Sequence, residues 1–593
     1  MTIYCGANFL SLPMRVEGYN PYIPELASST AREIVHTVEQ LAAAHVAPQL
    51  QALEAGAANG FGPMVKLFRE VIGRDAGLLT AELPEEHGGI DLPLRDVAHL
   101  LDAFGERTTA STNVTVFGHT GIGTLPLLLY GDAEQKARFL PKFASGEWMA
   151  AFALTEPGAG SDTSALATKA VLSDDGSHYV LNGSKCFISN GGIADVITVF
   201  AKVDGLTTAF LVTKDMPGFS AIEEELKLGL HGSSTAQLFF ENVNIPVVNR
   251  IGKVGQGDEI LRRTLYRGRY NLAALGMGEA RRVFNEALAY ALERVQRSKI
   301  INFGAVQDLL ATAALGVFGI ESMAYRIAGD FDDLLAAGPS RSPDQMSEVW
   351  GALSVEASIA KVYGSEQLGE VIRNALKVFG GYGFLESYGM GRPLRDQVVS
   401  EIYDGTNQLH RVYTIASHLL RLAKKGSIGI SEGAARGSVT GVGSLSKAIS
   451  HATLLKEMAL HALGEHLLKP EALALTDMVR GDLSLGQMAL ITFSDLVIQA
   501  YAADSAVRRA MRIEEEFAGR HQGMHVLLAE TLAAEAFRKG MGSLEDLLLV
   551  LHPDAQQLSI LDFFRTQAPL VGTKVRRATI AKRFATLGSY RLV

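Results

Sequence analysis

The sequence predicts a mainly α-helical protein with an inserted antiparallel β-domain, on three observations. Apolar residues, chiefly Ala and Leu, recur at three- and four-residue spacing on both sides of a central stretch. That stretch, from Trp148 to about Gly257, instead carries short apolar or alternating runs between turn residues. A Gly- and Ser-rich segment, Gly426 to Ser444, then sets apart a last helical region. A chain of 593 residues exceeds one compact domain. The expected units are a helical domain over 28–147, a β-domain over 148–258, a helical bundle over 259–424, a linker over 425–444 and an additional helical domain over 445–593.

Taken in order, Thr30-Ala31-Arg32-Glu33 has the pattern of a capping box and opens the first helical region. Pro84 and the pair Gly88-Gly89 break it. WMAAFALTE, DVITVFAKV, TTAFLVTKD and TAQLFFENV read as strands, and SDDGSHYVLNGSKCFIS as a hairpin arm with Asp-Gly and Asn-Gly turn signals. No helix separates these strands, so antiparallel pairing is expected. Helical patterning resumes from about Ile260 to Leu422 and again from Leu445. A β-domain between helical bundles creates clefts, where cofactors tend to bind.

Composition excludes several classes. Hydrophobic residues make up 47% and charged residues 20%, the balance of a folded protein. A net charge of -9 argues against nucleic acid as the main partner. The two cysteines, Cys5 and Cys186, do not suggest a disulfide framework and fit a reducing compartment. The N-terminal residues lack a secretory pattern, and no apolar run of about 18 residues is evident. The expected location is cytoplasmic, or peripheral at a membrane.

Three motifs carry chemistry. AFALTEPGAGSD (Ala151 to Asp162) ends a strand and then places glycines where backbone N–H groups can approach a flavin or phosphate; alone it also reads as an ordinary turn. NGSKCFISNGG (Asn182 to Gly192) offers the aromatic face of Phe187 and the Ser189 hydroxyl, or simply a core phenylalanine on a strand. The third runs from Val378 to Arg411 and includes FGGYGF and IYDGTNQ. There Asp404 precedes Gly405, as a site carboxylate or a plain Asp-Gly turn.

Together, in this order, these motifs resemble the acyl-CoA dehydrogenase family over roughly Ser28 to Leu422. PEEHGG, GDAEQKARFLPKFASGE, KLG followed by SST and ENVNIP, and Tyr266-Arg267-Gly268-Arg269 add to the match. The extra C-terminal helices make the chain most similar to the very-long-chain branch. The resemblance implies a helical bundle, a β-barrel and a second helical bundle with a C-terminal helical module, FAD as cofactor, an acyl-CoA substrate, an electron-transfer flavoprotein as acceptor, a homodimer, and a role in fatty acid β-oxidation. It places Phe152, Leu154, Thr155, Gly160 and Ser161 in a first flavin loop, with Ser161 also near substrate, and Phe187, Ile188 and Ser189 in a second. Lys377, Gly380 and Gly381 would reach the cofactor's diphosphate from the partner subunit, as Arg294 and Gln307 would reach FAD. Thr406 and Gln408 match adenine-side contacts, Arg269 an arginine near the CoA end, and Asp404 and Gly405 the substrate-facing turn.

Three departures stand out. The family's usual catalytic glutamate is Asp404. The R-x-Q-F-G-x-P-I segment is Arg294-Val295-Gln296-Arg297-Ser298-Lys299-Ile300. His231 stands where Lys or Arg is common. A second base position known in some branches is Gly268, leaving Asp404 as the candidate α-proton base and the flavin N5 as hydride acceptor. The alternatives are an acyl-CoA or nitroalkane-type oxidase, or a catalytically lost member acting in assembly. His521 and His525, four apart, have metal-ligand spacing but lack a third ligand. Lys574 to Arg583 reads as a basic stretch that could touch an anionic membrane, or as a solvated surface helix.

Overall fold

The computed structural model describes residues 8–16, 19–338, 342–428, 444–477, 483–517, 523–551 and 558–590. Cys5, His521 and most of the expected linker therefore lie outside the described residues. The first helix runs over Ser29–Leu41. Its cap is Ser28, whose hydroxyl accepts from the Ala31 amide, so the expected capping box at Thr30 starts two residues late. Ser28 wins among Ser28, Ser29 and Thr30 because its hydroxyl also donates to Asp96 Oδ1 (2.9 Å), a tertiary bond that local pattern does not reveal.

The β-domain is one open sheet. Its strands are β1 (Ala150–Ala153), β2 (Lys169–Leu172), β3 (His178–Ser189), β4 (Val196–Val203), β5 (Leu206–Thr213), β6 (Phe219–Glu224), β7 (Thr235–Pro246) and β8 (Arg250–Ile251). The order is β6-β7-β3-β2-β4-β5-β8, with β1 added beside β4. Pairing is antiparallel except β1 with β4 and a single parallel step from β2 to β4. Two expectations are corrected here. The sheet is not closed into a barrel, because β6 and β8 are its ends and do not pair. Nor is it wholly antiparallel, because β1 enters from the helical region and lies along β4. The Asp-Gly turn joins β2 to β3 as expected, but Asn182-Gly183 sits inside β3 at a register shift opposite β7. Gly183 has φ +146° and packs against Thr168, a bulge rather than a turn.

Three long helices form the spine behind the sheet: Gly257–Glu293, Gly304–Ala336 and Ser354–Phe379. Two later helices, Leu483–Glu516 and Met524–Leu551, pack along each other and onto Gly304–Ala336. Phe9 of the N-terminal arm, Phe318 of the spine, and Leu496 and Tyr590 of the C-terminal region belong to one continuous apolar core. Helices Gly304–Ala336 and Leu483–Glu516 are long and apolar enough to cross a membrane, which the sequence reading overlooked. In this fold 67% and 50% of their apolar stretches are buried against neighbouring helices. In the basic helix Thr573–Leu587, Lys574 and Arg577 pair with Asp308, Arg577 also with Glu535, and Arg576 with Glu530. Those cations thus bind the chain's own carboxylates. His525 pairs with Glu514.

Candidate active site

The turn carrying Asp404 follows the helix Gly391–Val398 and the short turn Val399–Glu401. Asp404 and Gly405 are both left-handed, with φ +54° and +91°. For a residue with a β-carbon this costs roughly 1–2 kcal/mol, so the surroundings must hold it. They hold both carbonyls. His410 Nε2 lies 3.0 Å from Asp404 O, and Lys361 Nζ donates to Gly405 O at 2.9 Å. A carbonyl can only accept, so Nε2 carries the imidazole proton and Nδ1 faces Thr414 Oγ1. Thr406 then caps the short helix Asn407–Leu409, accepting from the Leu409 amide.

The Asp404 carboxylate is out of contact with solvent, and neither oxygen accepts a hydrogen bond from the protein. Burial pushes its pKa from 3.8 up to about 7, against the opposing pull of Arg269 and Lys361. Between these values the folded chain holds a proton that the unfolded chain has lost. Stability therefore falls as pH rises from about 4 to about 7, the cost of keeping a carboxylate in this place. Arg269, buried on the Gly257–Glu293 helix, stacks over Tyr266 and reaches Ser358 Oγ at 3.4 Å.

One turn of that helix makes room for the carboxylate. A β-carbon on Gly268 would lie 2.8 Å from Asp404 Oδ2 and 3.2 Å from Ile122 Cγ2. Gly268→Ala is therefore expected to displace the carboxylate by about 1 Å and to cost on the order of 100-fold in substrate-driven reduction, with cofactor content unchanged. Stopped-flow absorbance checks this; an undiminished rate would mean the carboxylate does not need that space.

Ile122 belongs to the wide helical turn Gly118–Gly123. Its other end meets the second motif: a β-carbon on Gly118 would lie 3.8 Å from Ser189 Cβ. The same turn thus borders both Asp404 and the β-domain. Wide turns of this kind recur at functional sites, and His410–Ala416 is another.

The two glycine-rich motifs of the β-domain are tied together by a buried ion pair. Lys185 Nζ donates to Glu156 Oε1 (2.7 Å) and Leu154 O (2.9 Å), and the Cys186 amide donates to Thr155 O (2.9 Å). Burial pushes Lys185 down to about 8 against the pull of Glu156. Phe187 has φ +58° at a register shift of β3 against β7, and its ring is 65% exposed. A bulge re-aims a side chain in this way. Phe152 and Ile188 are instead packed in core clusters, so only their main chains can face a ligand. Leu154, Thr155 and Ser189 are half-buried, and Gly160 and Ser161 are exposed. Gly158 and Gly160 have open space where a β-carbon would stand.

The remaining expected residues form a second group. Arg294 caps the Gly257–Glu293 helix, 25 residues after Arg269, or about 37 Å along the axis. Gly380 ends the Ser354–Phe379 helix, 19 residues or about 28 Å beyond Lys361. Neither can serve the Asp404 of its own chain. Both line a cleft of about 370 Å³ with Gln296, Phe379, Gly381 and Tyr382. Arg294 stacks over Tyr382 at 5.1 Å. Its altered segment forms a ribbon, Val295–Gln296 against Ser298–Lys299, with Arg297 left-handed at the turn. Lys377 is exposed, as is Gln408, while Thr406 is half-buried. Gln307 is turned inward, donating to Ile301 O at 3.0 Å. His231 is exposed and contacts Lys227 O.

These features fit the expected flavin. A bare aromatic face, glycines with open space above them and an unpartnered carboxylate suit a flat ring beside a reacting carbon, and the second cleft suits a diphosphate. Sequence reasoning missed Lys361, His410 and the Lys185–Glu156 pair. Lys361 had one signal, a lone lysine in the apolar run VEASIAKVYG.

Residues 28–147, 151–243 and 255–420 match the N-terminal, middle and C-terminal domains of acyl-CoA dehydrogenases. The chain is 34% identical over 532 residues to a probable acyl-CoA dehydrogenase of Bacillus subtilis (strain 168), covering 87% of each. It is 33% identical over 508 residues to the mitochondrial very long-chain specific acyl-CoA dehydrogenase of Homo sapiens, covering 80% of this chain and 74% of that one. An acyl-CoA dehydrogenase from Bacillus anthracis, solved as a complex with FAD, aligns with a TM-score of 0.91 at 31% identity, over 99% of this chain and 100% of the other.

Proposed function

The chain belongs to the acyl-CoA dehydrogenase family and is an FAD-dependent oxidoreductase; from that premise we propose that it desaturates an acyl-CoA thioester between its α- and β-carbons, with Asp404 as the base. The observation that carries this reading is the buried carboxylate without hydrogen-bond partners, held near neutrality beside Arg269 and Lys361. A carboxylate raised by burial well above the usual range is more basic, as removing a weakly acidic proton requires. When bound, FAD supplies the hydride acceptor. Asp404 takes the α-proton at its carboxylate, and by the resemblance its main-chain N–H would donate to the thioester oxygen. The mostly apolar cavity lined by Phe117, Thr120, Thr124, Leu125 and Leu275 would suit an acyl group.

Phe152, Leu154, Thr155, Gly160, Ser161, Phe187, Ile188 and Ser189 would hold the flavin of their own chain, with Thr406 and Gln408 toward its adenine. Arg294, Lys377, Gly380 and Gly381 would serve the partner's cofactor in a homodimer, a reading supported by the distance of Arg294 and Gly380 along their helices, while the inward-turned Gln307 would have to release Ile301 O to join them. The exposed side chains of Phe384, Leu385 and Tyr388 beside that cleft suit a second copy of the chain. The acceptor is an electron-transfer flavoprotein, and the setting fatty acid β-oxidation.

Anaerobic titration of the purified protein with acyl-CoAs of graded length tests the assignment. The flavin absorbance should bleach with formation of 2-enoyl-CoA, and the rate should fall in acid with a midpoint well above the usual carboxylate range. A flavin that stays oxidised with every acyl-CoA would overturn it, as would a rate that is flat from pH 5.5 to 8.

A further inference from the structure

Lys361 is fully buried on the Ser354–Phe379 helix, 0% exposed, and its ammonium points at the turn that carries Asp404. It donates to Gly405 O at 2.9 Å and to Asn407 Oδ1 at 2.7 Å. Asn407 is held in turn, its amide donating to Ser365 Oγ (3.0 Å) and Glu366 Oε1 (3.1 Å). Glu366 takes both arms of Arg411, at 2.8 and 3.0 Å, and Arg411 Nε reaches Asp495 at 2.6 Å. The left-handed turn is thus anchored from one side through Lys361 into the helical core, and from the other by His410 on Asp404 O.

A buried ammonium is an expensive anchor, since an asparagine or glutamine could donate to the same carbonyl without a charge. Its charge also has a direct target. The groups acting on the Asp404 carboxylate are Arg269 from the Gly257–Glu293 helix and Lys361 from Ser354–Phe379. His410 faces the turn as a neutral imidazole, and Tyr403 precedes Asp404 on its own segment. Burial pulls Lys361 below the usual lysine range; the Asp404 carboxylate opposes this most, Arg269 adds to the lowering, and Glu366 and Glu401 pull the other way.

We propose that Lys361 is a positioning residue for the base: its ammonium clamps the Asp404–Asn407 turn and supplies one of two positive charges against which the Asp404 carboxylate gains and loses its proton. This rests on the reading of Asp404 as the α-proton base. During turnover the carboxylate becomes a neutral acid, and the two cations remain beside the substrate's developing negative charge. Lys361 therefore favours the ionised base at the start, and its clamp fixes the direction of attack.

Two variants separate clamp from charge. Lys361→Gln keeps a donor and removes the charge; the pH midpoint of anaerobic flavin reduction should rise by about one unit, with the high-pH rate within several-fold of the parent. Lys361→Met removes both; the midpoint should rise and the high-pH rate should also fall on the order of 100-fold. FAD content and the oxidised spectrum report the fold in each case. A glutamine variant that titrates like the parent overturns the electrostatic role, and it decides that point alone if the methionine variant does not fold. A methionine variant with the parent's high-pH rate overturns the clamp. If Asp404→Asn were still reduced, the assignment of the base would fail first; if it is not, an unchanged Lys361→Gln profile sinks this inference alone.

Discussion

Replacing Asp504 by asparagine is expected to destabilise the folded chain by about 3–5 kcal/mol, a large part of the stability of an ordinary domain. Asp504, 0% exposed on the Leu483–Glu516 helix, accepts from three cations. Arg326 reaches it at 2.7 Å, Lys456 at 2.8 Å and Arg508 at 2.8 Å. Lys456 also holds Leu12 O, and Arg508 holds the carbonyls of Pro13 and Met14. One carboxylate thus joins the N-terminal arm, the central helix Gly304–Ala336 and the C-terminal helices. Burial alone would raise its pKa, but the three cations hold it well below the usual carboxylate range. A depressed carboxylate contributes stability above its unfolded pKa and loses it only as pH falls toward the folded value. The parent should therefore keep this contribution well into acid, and the variant should lack it at every pH. Calorimetry reads the loss, and limited proteolysis reads release of the arm at 8–16. An unchanged melting temperature would mean the network carries no net stability.

That network marks a limit of the sequence. Arg326, Lys456 and Asp504, with Tyr19 whose hydroxyl accepts from Arg326 Nε, are far apart along the chain, and nothing in local pattern pairs them. The additional C-terminal helices were legible as helices, but not their sharing of one core with the Gly304–Ala336 helix. The strands were legible because Gly, Pro and Asp-Gly punctuate them, with β6 as the exception: Phe219–Glu224 is weakly apolar and was overlooked. Closure of the sheet was not legible, since strand patterns do not say whether the ends meet. The basic run from Lys574 was visible as charge, while its carboxylate partners Asp308, Glu530 and Glu535 were not. At the site, Asp404 and Gly268 stood out from the motifs that the chain resembles. Only the fold shows that each needs the other, because the space left by Gly268 is where the Asp404 carboxylate lies.

The second large effect concerns that carboxylate. Asp404→Asn preserves the shape of the side chain and its place beside Gly268, but an amide cannot accept the α-proton. His410 and Lys361 bind main-chain carbonyls of the turn, so the left-handed pair should survive the substitution. Loss of a positioned base removes on the order of 10²–10⁴-fold in rate. Asp404 supplies the carboxylate nearest the open space at Gly268. The direct measurement is single-turnover anaerobic reduction of the bound flavin by an acyl-CoA, parent and variant side by side at pH 8. The parent should bleach and form 2-enoyl-CoA, while the variant, with equal FAD content, should remain yellow. A variant that bleaches at the parent's rate would contradict the assignment of Asp404 as the base.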